Sequence, residues 1–199
     1  FGDLGILGDI YSRKTRSDKY NISGVSNMFS VNSAIVKHFL YLGMPFGTRV
    51  DKVFLLPSWL LEGSETIKSS FISGIYSAEG SKFSMQSNDK TIKAPSFVIT
   101  KRKRLIDNFK EFLEQLSKIL NDLNIKHSIK LKETYTKDYN VSATFVFSNS
   151  YENIFKVFNL LDLKYCEEKQ NTLNEIKMYY LAKALVSNLK EVKKKKKQL

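Results

Sequence analysis

The chain has 199 residues, 42% hydrophobic and 13% aromatic, enough for one sizeable domain or two small ones and too apolar for a disordered chain. Lys and Arg total 32 against 20 Asp and Glu, a net charge of +12, which points to a polyanionic partner, most simply nucleic acid. The single Cys166 excludes an internal disulfide and a Cys-rich zinc cluster, and the isolated His38 and His127 argue against a His-based metal site or triad.

The opening, FGDLGILGDIYSRK, lacks the basic-then-apolar order of a secretory signal, and no apolar run reaches the roughly 18 residues of a bilayer span. The sequence therefore reads as cytoplasmic, with no membrane partner. A polar stretch, SRKTRSDKYN, follows. Residues 31–43 place Ile35, Val36, Phe39, Leu40 and Leu42 at helical spacing and stop at Gly43. MPFGTRVDKVFLLPSWL reads as a turn, a short strand and a Pro-containing connection. A helix is predicted from Glu65 to Glu79. Beyond Gly80 the period changes to two: SKFSMQS and APSFVIT read as paired strands. Residues 105–123 form an amphipathic helix, HSIKLKETY and NVSATFVFS a second hairpin, and SYENIFKVFNLL a helix with Ser150 as its cap. A last helix covers about 170–190, and KEVKKKKKQL reads as a solvated basic tail. The predicted class is α+β, ordered α-β-β-α-β-β-α from residue 65 with one further helix.

Helix 65–79 is unusual. Phe71, Ile72 and Ile75 make an apolar stripe, while Ser70, Ser73, Gly74 and Ser77 make a second stripe of small groups. Small side chains let a neighbouring helix approach closely, which would offset the cost of about 1 kcal/mol of a helical glycine; ordinary helix packing accounts for the stripe equally well. Glu79 ends the helix, where the macrodipole disfavours an acid by roughly 0.3–1 kcal/mol. A bound divalent cation would reverse that sign, since Mg²⁺ commonly takes one or two carboxylates.

ISGIYSAEG, residues 72–80, resembles the nine-residue motif of the LAGLIDADG endonucleases, with Gly74, Ala78, Glu79 and Gly80 matching and Ser77 in place of the first acid. LGMPFG…LLPSW and LKYCEEKQNTLNEIKMYYLAKAL are similar to archaeal and intein-type members, and the resemblance covers about residues 25–187. It implies the LAGLIDADG fold, a saddle-shaped antiparallel sheet with helices on one face. It also implies a site-specific double-strand DNA endonuclease, intron- or intein-encoded or free-standing, that hydrolyses phosphodiesters with Mg²⁺ held by carboxylates at the ends of two motif helices. Glu79 is then one metal ligand. Asp9, in the degenerate copy DLGILGDIYSRK, is the other. Lys101 takes the place of the polar catalytic-pocket residue, and Lys164 is the basic group facing the developing phosphorane charge. Ser70, Ser73, Gly74 and Ser77 bury against a second helix, residues 1–9 or the same helix of another copy. A monomer with pseudo-twofold symmetry is favoured over a homodimer.

Under this reading residues 1–60 are a shortened first repeat, 61–189 a complete second repeat and 190–199 the tail. The duplex meets the outer strand faces, Lys82, Ser84, Gln86, Ser96, Thr100, Lys130, Lys132, Thr134, Ser142 and Thr144, with Arg102 from the KRKR cluster. A polar outer face is equally what a half-solvated sheet shows. The degenerate first copy supports an alternative: a catalytically inactive nucleic-acid-binding descendant, a splicing maturase or regulator.

Overall fold

A computed structural model describes residues 9–17, 22–30, 33–86, 91–134, 139–164 and 166–196. The chain divides into two units, Phe1–Gly47 and Thr48–Leu199.

In the first unit, strands β1 (Asp9–Ser17) and β2 (Ile22–Ser30) form an antiparallel hairpin in which Asp9 pairs with Ser30 and Ser17 with Ile22. Asp9 therefore opens a strand, where the resemblance placed it at the end of a motif helix. Helix α1 (Ser33–Tyr41) ends as predicted at Gly43, whose φ of 96° suits glycine. Gly43 N donates to Leu40 O and Met44 N to Phe39 O, each at 3.0 Å, closing the helix with a left-handed turn.

The second unit begins thirteen residues before the predicted boundary at residue 61, because the segment ahead of it is bonded into this unit. Arg102 N donates to Val50 O at 3.1 Å, Asn108 Nδ2 to Phe54 O at 3.2 Å and Leu56 N to Gln115 Oε1 at 2.7 Å. No strand forms in this segment; α2 (Ser58–Leu61) follows Pro57. Helix α3 (Glu65–Glu79) matches its predicted bounds, with the Ser64 hydroxyl accepting from Ile67 N at 3.4 Å.

Among the described residues the predicted strand SKFSMQS is replaced by isolated bridges in this stretch, Gly80 with Phe97 and Met85 with Ile92. Ser81 is part of the reason: its hydroxyl accepts from Ser96 N at 3.2 Å, a side-chain bond that competes with a ladder. The remaining strands, β3 (Ser96–Arg102), β4 (His127–Thr134) and β5 (Asn140–Phe147), make an antiparallel sheet in the order β3-β5-β4. Helix α4 (Ile106–Asp122) joins β3 to β4 after a short 3₁₀ turn, and α5 (Tyr151–Leu160) and α6 (Glu167–Lys196) follow β5. The class is α+β.

One apolar core lies between the sheet and the helices. Phe97, Ile99, Ala143, Phe145 and Phe147 line the inner sheet face, and Ile72 and Tyr76 of α3, Leu116 and Leu120 of α4 and Ile154 of α5 cover it, all at most 5% exposed. The Tyr76 ring stacks on Phe83 and Phe147 at centroid distances of 5.3 and 6.0 Å. Asn153 is the buried polar tie: its amide accepts from Lys126 N at 2.7 Å and donates to Lys126 O at 3.0 Å and Ser148 O at 2.8 Å. Ser150, the predicted cap, precedes α5 without a side-chain bond to the helix.

Candidate nucleic-acid interface

Strand alternation gives the sheet an outer face bearing Ser96, Thr100, Ser142, Thr144, Lys130 and Lys132, as predicted from the pleat. In register Thr100 stands opposite Ser142, Lys130 opposite Thr144 and Lys132 opposite Ser142. The two lysines are exposed, Thr100 and Ser142 are hydrogen-bonded at 2.9 Å, and Val98, 40% exposed, adds an apolar spot. The Thr134 side chain lies outside the described residues. Among the described residues this face carries no acid and no aromatic ring. It suits phosphate contact and duplex grooves better than base stacking, which needs rings.

Arg102 sits at the margin and is engaged within the unit. Its Nε donates to Asp51 Oδ1 at 2.6 Å and its Nη1 to Asn140 Oδ1 at 3.3 Å. The Arg102 bond holds the Asp51 carboxyl below the usual carboxylate range, helped by the charges of Arg104 and Lys52. Lys82, Ser84 and Gln86 lie on the looser turn beside the sheet. Lys82 forms an ion pair with Glu168, and Gln86 Oε1 accepts from Thr91 at 3.0 Å.

Lys101 faces inward. In β3 it follows Phe97 and Ile99 on the core side and is 1% exposed. Its ammonium lies 4.0 Å from the Phe54 ring centre and donates to Asn108 Oδ1 at 3.1 Å and to Lys52 O. Desolvation lowers its pKa below the ordinary lysine value. A residue so enclosed holds the 50–56 segment onto α4. The alternation through Phe97 and Ile99 carried the signal for this placement.

Glu79 ends α3 and is ion-paired with Arg49, both partners half-exposed. Sequence reasoning missed this pairing across thirty residues, and it also missed Lys169. The Lys169 ammonium donates to Tyr76 O at 3.2 Å and Ser77 O at 2.7 Å, placing a cation on the carbonyl end of the helix. Among the described residues no group of three or more His, Cys, Asp or Glu side chains is placed to hold a metal ion.

The small-residue face of α3 borders an open groove of about 710 Å³, with Ser70, Gly74 and Ser77 on one wall and Asp162, Lys164 and Cys166 on the other. Lys164 is exposed there. Ser73 is buried: its hydroxyl accepts from Asp162 N at 3.1 Å and reaches Leu160 O at 3.5 Å, tying α3 to the α5–α6 connection. A Cβ at Gly74 would meet no atom within 4 Å among the described residues; of residues 1–9, predicted with the same helix of another copy as the partners of this face, 1–8 lie outside them.

No family model matches the chain. It is 28% identical over 186 residues to the tRNA-splicing ligase RtcB of Pyrococcus abyssi, covering 86% of this chain and 20% of that protein. It is 25% identical over 201 aligned positions to the tRNA-splicing ligase RtcB of Methanocaldococcus jannaschii, covering 96% and 20%. Over 158 residues it is 27% identical to the replication factor C small subunit of the same organism, covering 77% and 8%. The chain thus spans about a fifth of the length of these two ligase relatives.

These names overturn the LAGLIDADG resemblance, and with it the Mg²⁺-dependent double-strand DNA endonuclease and the hydrolase and intron- or intein-encoded homing reading. The ligase relatives are RNA-joining enzymes by name. At the helix end that carries the nine-residue pattern, Arg49 pairs with Glu79 and Lys169 donates to the Ser77 carbonyl, both within this unit. Among the described residues no helix is long and apolar enough to cross a membrane.

Proposed function

We propose that the chain is an RNA-holding module of a larger RNA-joining enzyme and binds double-helical parts of a structured RNA on the outer face of the β3-β5-β4 sheet. The observation that carries this reading is the acid-free outer face, with exposed Lys130 and Lys132 set among serine and threonine hydroxyls, in a chain of net charge +12. Lysines on such a face take phosphates, and hydroxyls can take sugar 2′-OH groups or phosphates. The ligase relatives supply the RNA. A segment that matches 20% of a ligase and 8% of a replication subunit is shared by proteins of different named activity, which favours a binding role over the ligation centre.

Fluorescence anisotropy with a tRNA transcript, an RNA hairpin, a single strand and a DNA duplex, at several salt concentrations, tests the reading. The hairpin and tRNA are expected to bind more tightly than the single strand. Lys130→Ala and Lys132→Ala should each reduce the salt slope by about one. Binding that leaves both variants unchanged, or a preference for single strands, would overturn it. Duplex DNA is the second reading, favoured by the replication factor C relative; it predicts that the DNA duplex outcompetes the hairpin.

A further inference from the structure

Strand β4 is an edge. It pairs only with β5 among the described residues, so its other side presents backbone donors and acceptors to any added strand. Leu131 is 53% exposed and Ile129 36%, although both stand on the core side of the sheet, opposite Ala143 and Phe145. With Leu113 they floor a groove of about 470 Å³ between β4 and α4, lined also by Lys110, Glu114 and Lys118. Lys130 and Lys132 project from the other face of the same strand. Glu133, the strand's one acid, is paired with Lys103 at 2.7 Å.

We propose that this edge accepts an extended segment of a protein partner that alternates acidic and apolar residues, added as a further strand. Its apolar side chains enter the Leu113–Ile129–Leu131 groove, and its carboxylates meet Lys130 and Lys132 across the strand pair. The two sides of one strand ask for opposite chemistry, and the period of two supplies both at once. A second copy of the chain fits poorly. Antiparallel self-pairing about Lys130 sets that lysine against itself, and pairing about Leu131 sets Lys130 against Lys132, like charges directly opposed.

The test uses the whole chain and a fluorescein-labelled peptide of alternating glutamate and valine. It should bind with micromolar affinity, at least tenfold tighter than its lysine–valine counterpart. N-methylation of alternate peptide amides should abolish binding if the backbone pairs. Ile129→Thr with Leu131→Thr should weaken the glutamate peptide at least tenfold while circular dichroism and RNA affinity stay unchanged. Lys130→Glu with Lys132→Glu should reverse the preference toward the lysine peptide. Equal binding of the N-methylated peptide, failure of the charge swap to reverse the preference, or a dimer abolished by the threonine pair would overturn the proposal.

Discussion

The ammonium of Lys101 lies 4.0 Å from the centre of the Phe54 ring, in a site only 1% exposed. Its described hydrogen-bond acceptors are neutral: the Asn108 amide oxygen and the Lys52 carbonyl. This one side chain ties the 50–56 segment to α4 and β3, so its removal tests that junction directly.

Lys101→Ala should destabilise the second unit by about 2–4 kcal/mol, through the lost stem volume and two acceptors left without their donor. Lys101→Met keeps the volume and should cost about half as much. The pH dependence separates charge from packing. Burial lowers the Lys101 pKa, so below it the folded state holds the ammonium at an energetic disadvantage. As pH rises from the lowered value toward the ordinary lysine value, the unfolded chain keeps more protons, and stability rises. Urea unfolding at a series of alkaline pH values should show that rise in the parent and not in Lys101→Met. Parallel profiles would refute the account.

Tyr76 titrates in the opposite sense. Burial pushes its phenol up to about 12, although its bond to Ser81 opposes the shift. Below pH 10 the phenol is protonated in both states and its 2.8 Å bond to Ser81 O is intact. Between about pH 10 and 12 the unfolded chain loses this proton while the folded chain keeps it, so the stabilisation falls away as pH rises. Tyr76→Phe should cost about 1–2 kcal/mol at neutral pH and flatten that decline. Equal alkaline midpoints for parent and variant, measured by circular dichroism, would count against the assignment.

Which parts of this molecule were legible follows from the range of the forces involved. Helix α3 is local: an apolar stripe, a capping Ser64 and a terminal Gly80 set its bounds. Strand β5 is equally plain, because Val141, Ala143, Phe145 and Phe147 alternate cleanly and are all buried. Ile129 and Leu131 carry the same alternation but remain partly exposed, since nothing in a strand's own sequence says it will be the edge. The family resemblance gives Lys101 the place of a polar pocket residue, whereas the alternation of β3 puts it on the core side. Of the site, the outer sheet face was readable from the pleat. The Arg49–Glu79 and Lys169–Ser77 contacts were not, because they join segments 30 and 92 residues apart.

Asn153 should be the most sensitive polar position. Its amide satisfies Lys126 N, Lys126 O and Ser148 O, joining the entry to β4, the exit of β5 and the first turn of α5. Asn153→Ala takes the partner from Lys126 N and Ser148 O, while Lys126 O keeps its 2.9 Å bond from Ser148 N, in a site 1% exposed, and should cost about 3 kcal/mol. Asn153→Asp is the sharper variant: it keeps the acceptor for Lys126 N but sets a carboxylate against two carbonyls. It should be at least as damaging at neutral pH and partly recover as the acid is protonated. Thermal melts across acidic pH would check both statements, and a melting temperature unchanged by either substitution would remove Asn153 from its proposed place.

Two glycines, Gly63 just before α3 and Gly74 within it, should respond in opposite directions. At Gly63 an added Cβ would lie 2.8 Å from Trp59 O and 2.9 Å from the Ile67 side chain, so Gly63→Ala must displace backbone and should destabilise. At Gly74, within α3, the same atom would meet nothing within 4 Å among the described residues. Alanine there removes the conformational freedom of glycine from the unfolded chain, so Gly74→Ala should stabilise by about 0.5–1 kcal/mol. Gly74→Leu should be tolerated, its side chain entering the open groove bordered by Ser70 and Lys164. Denaturant midpoints with equal slopes would measure both. Destabilisation by Gly74→Ala would mean that the small-residue face of α3 is covered after all, and would restore the close helix seam that the pattern of Ser70, Ser73 and Ser77 first suggested.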